Sequence, residues 1–295
     1  MAPALPQNIQ QKLEQTLAQS RQWLCKPPLQ STPRIVSVMA PGLSNYSVLV
    51  ESQRRFVVRI DGVRPSSHGL NRQTEWRTLE TANRAGLAPC PRYFNPELGS
   101  LVCDFLAPDN SQEPDTADTA QLLRKIHRLP ARHHRLHIAE RILRYEQQLE
   151  QRGQSPKGDL KRCGRIISDL VHEISRHPGD SVLCHNDLLL ANRIYSGGTL
   201  WALDWEYCAM GSPWYDLAVV IHGDALSSAD ATALIHTYLD RTPHESEQIL
   251  LQQYGCIYRY LELLWYLALD KPVFSADTIE AKTASLISLL QQSPT

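Results

Sequence analysis

Apolar residues recur at Ile9, Leu13, Leu17, Trp23 and Leu24, a near-helical spacing that predicts a packing helix over residues 8–24, stopped by Pro27-Pro28. From Arg34 the pattern changes. The β-branched runs of IVSVMAPGLSNYSVLVESQRRFVVRIDG, broken at Pro41-Gly42 and Ser52-Gln53, predict a short antiparallel meander. Helical period returns in LNRQTEWRTLETANRAGLAPCP, with Gly86 at its C-terminal end and Pro89 beyond, and it sets Glu75 on one face with Leu79 and Ala82. YFNPELGSLVCDFL then predicts two more strands around a Pro-Glu-Leu-Gly turn, completing a small sheet.

The polar run APDNSQEPDTADT, residues 107–119, reads as a linker or hinge. Beyond it helical periodicity dominates: AQLLRKIHRL up to Pro130, then residues 138–152 and 159–176, and a long apolar-rich helix around YGCIYRYLELLWYLAL. No internal repeat is visible. The pattern predicts an α+β chain with an N-terminal sheet-and-helix part, residues 1–107, and a larger, mainly helical part, residues 108–295.

Composition narrows the partners. At 295 residues the chain is long for a single domain. Thirty Lys and Arg against 31 Asp and Glu give a net charge of -1, so no overall field draws it to nucleic acid or an anionic membrane. The cluster Arg132-His133-His134-Arg135 has no basic stripe or aromatic interleaving to extend it and reads as a solvated loop. Seven scattered cysteines, never spaced C-x-x-C, fit reduced thiols. Neither a secretion signal nor a run near eighteen apolar residues is present, and a cytoplasmic protein acting on small molecules is the expectation.

The candidate chemistry lies between Ser181 and Val220. His185-Asn186-Asp187 is followed five residues later by Asn192, and Asp204-Trp205-Glu206 closes the strand-like Leu200–Leu203 run. H-x-D-x-x-x-x-N arises by chance in a chain of this length on the order of one time in a hundred. Asp187 facing a hydroxyl while Asn192 and Asp204 offer hard oxygens to Mg²⁺ suits phosphoryl transfer, where positioning and charge neutralisation carry the catalysis. Upstream, Gly42-Leu43-Ser44-Asn45 offers N–H groups and short polar side chains to phosphate. Arg59 offers a fork that Glu75 can orient. Taken singly these are a hairpin turn, an edge arginine and a solvated glutamate; together they stand in the order a nucleotide site needs.

HNDLLLAN, ALDWEY and SPWYDLAVV resemble the choline/ethanolamine kinase branch of the aminoglycoside phosphotransferase-like kinases. The resemblance implies a protein-kinase-like two-lobed fold, a small antiparallel sheet lobe plus a larger helical lobe. It further implies ATP and Mg²⁺ as cofactors, Asp187 as catalytic base, and Asn192 and Asp204 as metal ligands. Ser44, Asn45, Arg59 and Glu75 would hold ATP, and Asp216 would support the catalytic loop. The departures are a single glycine in the upstream loop, without G-x-G-x-x-G, and Asp-Trp-Glu in place of Asp-Phe-Gly, which argue against a protein kinase. Glu206 is left to metal or substrate.

For the acceptor, Tyr254, Tyr258, Glu262 and Trp265 share one helix face, and Ile257, Leu261, Leu264 and Ala268 another. Aromatic rings beside a carboxylate suit an organic cation; filling a helical core is the equal alternative. Choline or ethanolamine is the favoured primary alcohol. Thiamine is the nearest rival, through RFVVR and DWEY. An amino sugar, an aminoglycoside, or a catalytically silent binding protein on the same fold are further alternatives.

Overall fold

The structure, a computed structural model, describes residues 5–39, 44–62, 69–109, 114–176, 179–269 and 272–292. The chain divides into two compact units. One comprises Met1–Glu113 and Arg193–Tyr207; the other comprises Pro114–Asn192 and Cys208–Thr295.

The first unit is built on five antiparallel strands, β1 (Arg34–Val38), β2 (Asn45–Glu51), β3 (Arg55–Asp61), β4 (Pro91–Asn95) and β5 (Ser100–Asp104), ordered β1-β2-β3-β5-β4. Successive side chains of a strand point to opposite faces, so Phe56, Val58 and Ile60 of β3 face one way and Arg59 and Asp61 the other. The apolar set joins Val48, Val50 and Val102 in a core closed by Ile9, Leu13 and Leu17 of α1 (Gln7–Ala18). On the opposite face α2 (Arg72–Arg84) supplies Glu75 to Arg59 and stacks Trp76 on Phe94. Asn71 caps α2, accepting from the Thr74 N–H at 3.0 Å.

The predicted first helix is shorter than its apolar spacing implied. It ends at Ala18, and a single 3-10 turn, Ser20–Gln22, follows. The cause is β4: the Leu24 N–H donates to the Arg92 carbonyl at 2.6 Å, a bond no continuing helix can make. Trp23 still reaches the core, edge-on to Phe56 at 5.3 Å, whereas Leu24 is exposed.

A hairpin, Arg193–Ser196 with Thr199–Ala202, belongs to this unit. Its turn, Gly197-Gly198, has φ +60° and +72° at both central positions, which glycine adopts without a Cβ penalty. Asp109 accepts from both turn N–H groups at 3.0 and 2.8 Å. Residues 110–113 of the predicted linker lie outside the described residues. Asp115, near its far end, already caps the next helix by accepting from the Asp118 N–H.

The second unit holds α3 (Thr116–Ile126), α4 (Ile138–Gln151), α5 (Gly158–Arg176), α6 (Pro213–Gly223), α7 (Ser228–Leu239), α8 (Glu245–Ala268) and α9 (Ala276–Gln292), with a strand pair Val182–Cys184 and Ala209–Gly211. α8 packs against α4, α5, α6 and α9. A helix enclosed on several sides is apolar all round. Tyr254 and Tyr258 therefore lie in the same core cluster as Ile257, Leu261 and Leu264, and the division of α8 into a pocket face and a packing face does not hold for these two tyrosines. No described helix is long and apolar enough to cross a membrane.

Candidate active site

In the second unit the strand Val182–Cys184 delivers the chain to His185, and Asp216 of α6 fixes the turn that follows. Its wholly buried carboxylate accepts from the backbone N–H groups of His185 at 2.8 Å and Asn186 at 2.6 Å. The same carboxylate lies 3.0 Å from His127 Nε2, and His127 Nδ1 is 2.8 Å from the Tyr238 hydroxyl. Asn186 takes the left-handed conformation, φ 63°, which asparagine tolerates better than most residues. Asp187 emerges from this turn. Asn192 then folds back, its Nδ2 donating to the Asp187 carbonyl at 2.8 Å and to Asp187 Oδ2 at 3.0 Å. The intervening apolar run is anchored by wholly buried Leu188, and the Leu190 N–H donates to Asp224 at 2.7 Å. Asp187 is thus a carboxylate held in orientation from both sides of its own loop.

In the first unit two guanidinium groups face four carboxylates. Arg59 Nη2 donates to Glu75 Oε2 at 2.7 Å and Nη1 to Asp204 Oδ1 at 2.8 Å. Arg72 Nη1 donates to both Glu75 Oε2 and Glu206 Oε2 at 2.9 Å, while its Nη2 donates to Asp61 Oδ1 at 2.5 Å. Glu206 also accepts from Asn45 Nδ2 at 2.7 Å and Ser44 Oγ at 3.1 Å. Both of its oxygens are thus engaged, and the residue is 4% exposed. Read from sequence as a metal or substrate contact, Glu206 here binds the start of β2 to the first turn of α2. Ser44 and Asn45, expected on phosphate, are joined to Glu206; Gly42 and Leu43 of the same expected loop lie outside the described residues.

Asp204 differs from its neighbours. It follows the hairpin strand in a left-handed conformation, φ 56°, just before the 3-10 turn Trp205–Tyr207, whose Trp205 is wholly buried. Its side chain keeps about a third of its accessibility. Burial, then the charge of Glu206, raises its carboxyl above the usual carboxylate range, against the pull of Arg59. Burial alone would also raise Glu206, but Arg59, Arg72 and the Asn45 hydrogen bond outweigh it and hold that group low. Negative charge in excess of nearby arginine is what a divalent cation relieves, and a carboxylate is the hard donor Mg²⁺ prefers. Within the second unit, the Asn192 Nδ2 is engaged by Asp187, which leaves its amide oxygen as a hard donor on that loop.

The remaining expected residues lie on α8. Glu262 pairs with Lys282 of α9 at 3.2 Å and Arg259 at 3.4 Å. Trp265 packs edge-on to Tyr266 at 5.0 Å. Burial raises the Tyr258 and Tyr266 phenols, and the Glu262 and Asp187 carboxylates add to it. Arg72, Asp61, His127, Tyr266, Phe274 and Lys282 escaped the sequence reading. Only Arg72 left a local signal, its i,i+3 spacing to Glu75.

The phosphotransferase enzyme family (APH) profile matches residues 36–248. Protein LicA of Haemophilus influenzae is 26% identical over 247 residues, covering 77% of this chain and 70% of that protein. Among solved structures, choline kinase LicA from Streptococcus pneumoniae aligns with TM-score 0.74 at 23% identity, over 88% of this chain and 95% of that one. A choline/ethanolamine kinase family protein from Mesorhizobium loti aligns with TM-score 0.72 at 20% identity, over 95% of each chain. The structural likeness establishes the protein-kinase-like α+β fold. With a family match spanning well over half its length, the chain belongs to the phosphotransferase enzyme family.

Proposed function

We propose that this phosphotransferase is an ATP- and Mg²⁺-dependent kinase for the primary alcohol of a small organic cation, choline or ethanolamine. The observation that carries the reading is the company of Asp187. The carboxylate oriented by Asn192 shares a unit with Trp265, Tyr266 and Glu262, and its charge is felt at the Tyr266 phenol. A base for the hydroxyl and a surface for a cation thus come from neighbouring parts of one unit. The names of the relatives, choline kinase and choline/ethanolamine kinase, support the same class.

Asp187 accepts or orients the acceptor's hydroxyl proton as its oxygen attacks the γ-phosphorus and the bond to the ADP oxygen breaks. Arg59, oriented by Glu75, positions the nucleotide phosphates, and Asp216 keeps the loop from relaxing when the proton moves. Asn192 through its amide oxygen and Asp204 through its carboxylate are the residues that would hold Mg²⁺, which would supply charge neutralisation on the phosphates.

The test is coupled ADP release over choline, ethanolamine, thiamine, an amino sugar and an aminoglycoside. Choline or ethanolamine should give the highest kcat/KM. A higher value for thiamine or for a sugar would transfer the assignment to that acceptor. No turnover on any of them, with no thermal stabilisation by Mg²⁺ and ATP, would make the chain a silent binding protein.

A further inference from the structure

Lys282 of α9 sends its ammonium into a cluster of aromatic and acidic groups contributed by α8 and the segment after it. The nitrogen stands 3.2 Å from Glu262 Oε1, 5.6 Å from the Tyr266 ring centroid and 5.2 Å from that of Phe274. The two rings are tilted against each other with centroids 4.2 Å apart, and Trp265 borders Tyr266. The indole Nε1 of Trp265 is buried and has no hydrogen-bond partner among the described residues.

A cation within about 6 Å of aromatic ring centroids, with a carboxylate beside it, is the arrangement that recognises organic ammonium ions. Here the chain supplies the cation itself. Glu262 is also approached by Arg259 at 3.4 Å, so its charge is already balanced twice over. A second ammonium entering beside Lys282 would meet two like charges and one spent carboxylate. The Lys282 side chain keeps about a quarter of its accessibility, and a lysine stem can carry its head to water while its methylenes stay packed.

We propose that Lys282 is a tethered surrogate cation: its ammonium fills the aromatic slot that takes the acceptor's cationic head, and the acceptor binds by displacing it. This inference rests on the organic-cation reading above. Occupancy by Lys282 keeps the slot formed in the absence of acceptor. It also lowers the apparent affinity for any competing cation by the fraction of molecules in which the slot is open. A neutral alcohol of the same shape gains nothing from the vacated slot, so Lys282 acts on cationic acceptors selectively.

The experiment compares wild type with Lys282→Met, which keeps the stem and removes the charge, and Lys282→Arg, which keeps a cation. Tetramethylammonium, which has no hydroxyl to phosphorylate, is titrated calorimetrically. The KM is also measured for choline and for its neutral isostere, with carbon in place of the quaternary nitrogen. Lys282→Met should bind tetramethylammonium about tenfold more tightly and lower the choline KM by about the same factor, with the isostere's KM within about twofold of wild type. Lys282→Arg should stay near wild type in both. Unchanged or weaker tetramethylammonium binding by a Met variant that unfolds at the wild-type temperature would overturn the proposal and make Lys282 a packing residue; should that variant not fold, Lys282→Gln carries the same comparison. Unchanged tetramethylammonium binding together with choline turnover sinks the surrogate alone. Tighter binding without turnover of any cationic alcohol keeps the slot and sinks the proposed acceptor.

Discussion

Arg72 Nη1 lies 2.9 Å from Glu206 Oε2, joining residues 134 positions apart in the chain. The same guanidinium serves Asp61 and Glu75, so one side chain is shared by three buried carboxylates, while Arg59 serves Glu75 and Asp204. Removing one partner of a buried ion network strands the charges that remain, at a cost of about 3–5 kcal/mol. Arg72→Met should lose stability of that order in denaturant unfolding and raise KM for ATP more than it lowers kcat, since Ser44, Asn45 and Glu206 lose their common anchor. Arg72→Lys should recover charge but not the fork, and fall between. Wild-type stability in the Met variant would mean that the carboxylates are neutralised some other way.

Asp216 accepts two backbone N–H groups immediately before Asp187. A buried donor stripped of its acceptor costs about 1–3 kcal/mol, so Asp216→Ala should lose several kcal/mol and lower kcat as the turn relaxes. Asp216→Asn retains one acceptor oxygen and should lose less in both. Denaturant unfolding and ADP release measure the two effects. Wild-type kcat in a folded Ala variant would show that the loop holds Asp187 without this anchor.

His222, at the end of α6, lies against Gly255 of α8, where an added Cβ would meet the imidazole ring. Burial, then the nearby Arg259 charge, lowers its pKa from 6.5 to about 4. A group depressed in the folded state takes up its proton first in the unfolded chain. Its contribution is therefore present above about pH 6.5 and is lost as pH falls towards 4. Acidification from about pH 7 to pH 5 should cost on the order of 1–2 kcal/mol through this residue, discounted for its partial exposure. Urea unfolding at both pH values checks this: His222→Gln should be less sensitive to the change, and an unaltered slope would assign the acid sensitivity to other groups.

The two-residue period of RFVVRID was enough to oppose Arg59 to a face of Phe56, Val58 and Ile60, and the helical period of α2 was enough to group Glu75 with Leu79 and Ala82. Both are local regularities, and a sheet and one helix translate them directly. Arg72 was not legible, because an arginine three residues before a glutamate in a charged segment looks like a solvated helix surface. Its meaning depends on Glu206, far along the chain. In α8 the helix was legible but its exposure was not: periodicity records which residues are apolar and cannot count the four helices packed around them. Lys282 fails for a third reason, since nothing in ADTIEAKTASL marks a lysine whose ammonium ends beside two packed rings brought from other segments.

The most direct measurement is phosphorus NMR of choline and ethanolamine incubated with Mg²⁺, ATP and either wild type or Asp187→Asn. Wild type should convert γ-phosphate into a phosphomonoester of the alcohol with stoichiometric ADP. The variant should bind ATP as before and form the ester about a hundredfold or more slowly. Ester formation at the wild-type rate by Asp187→Asn, or none from either alcohol with wild type, would contradict the assignment of Asp187 and of a cationic alcohol as its acceptor.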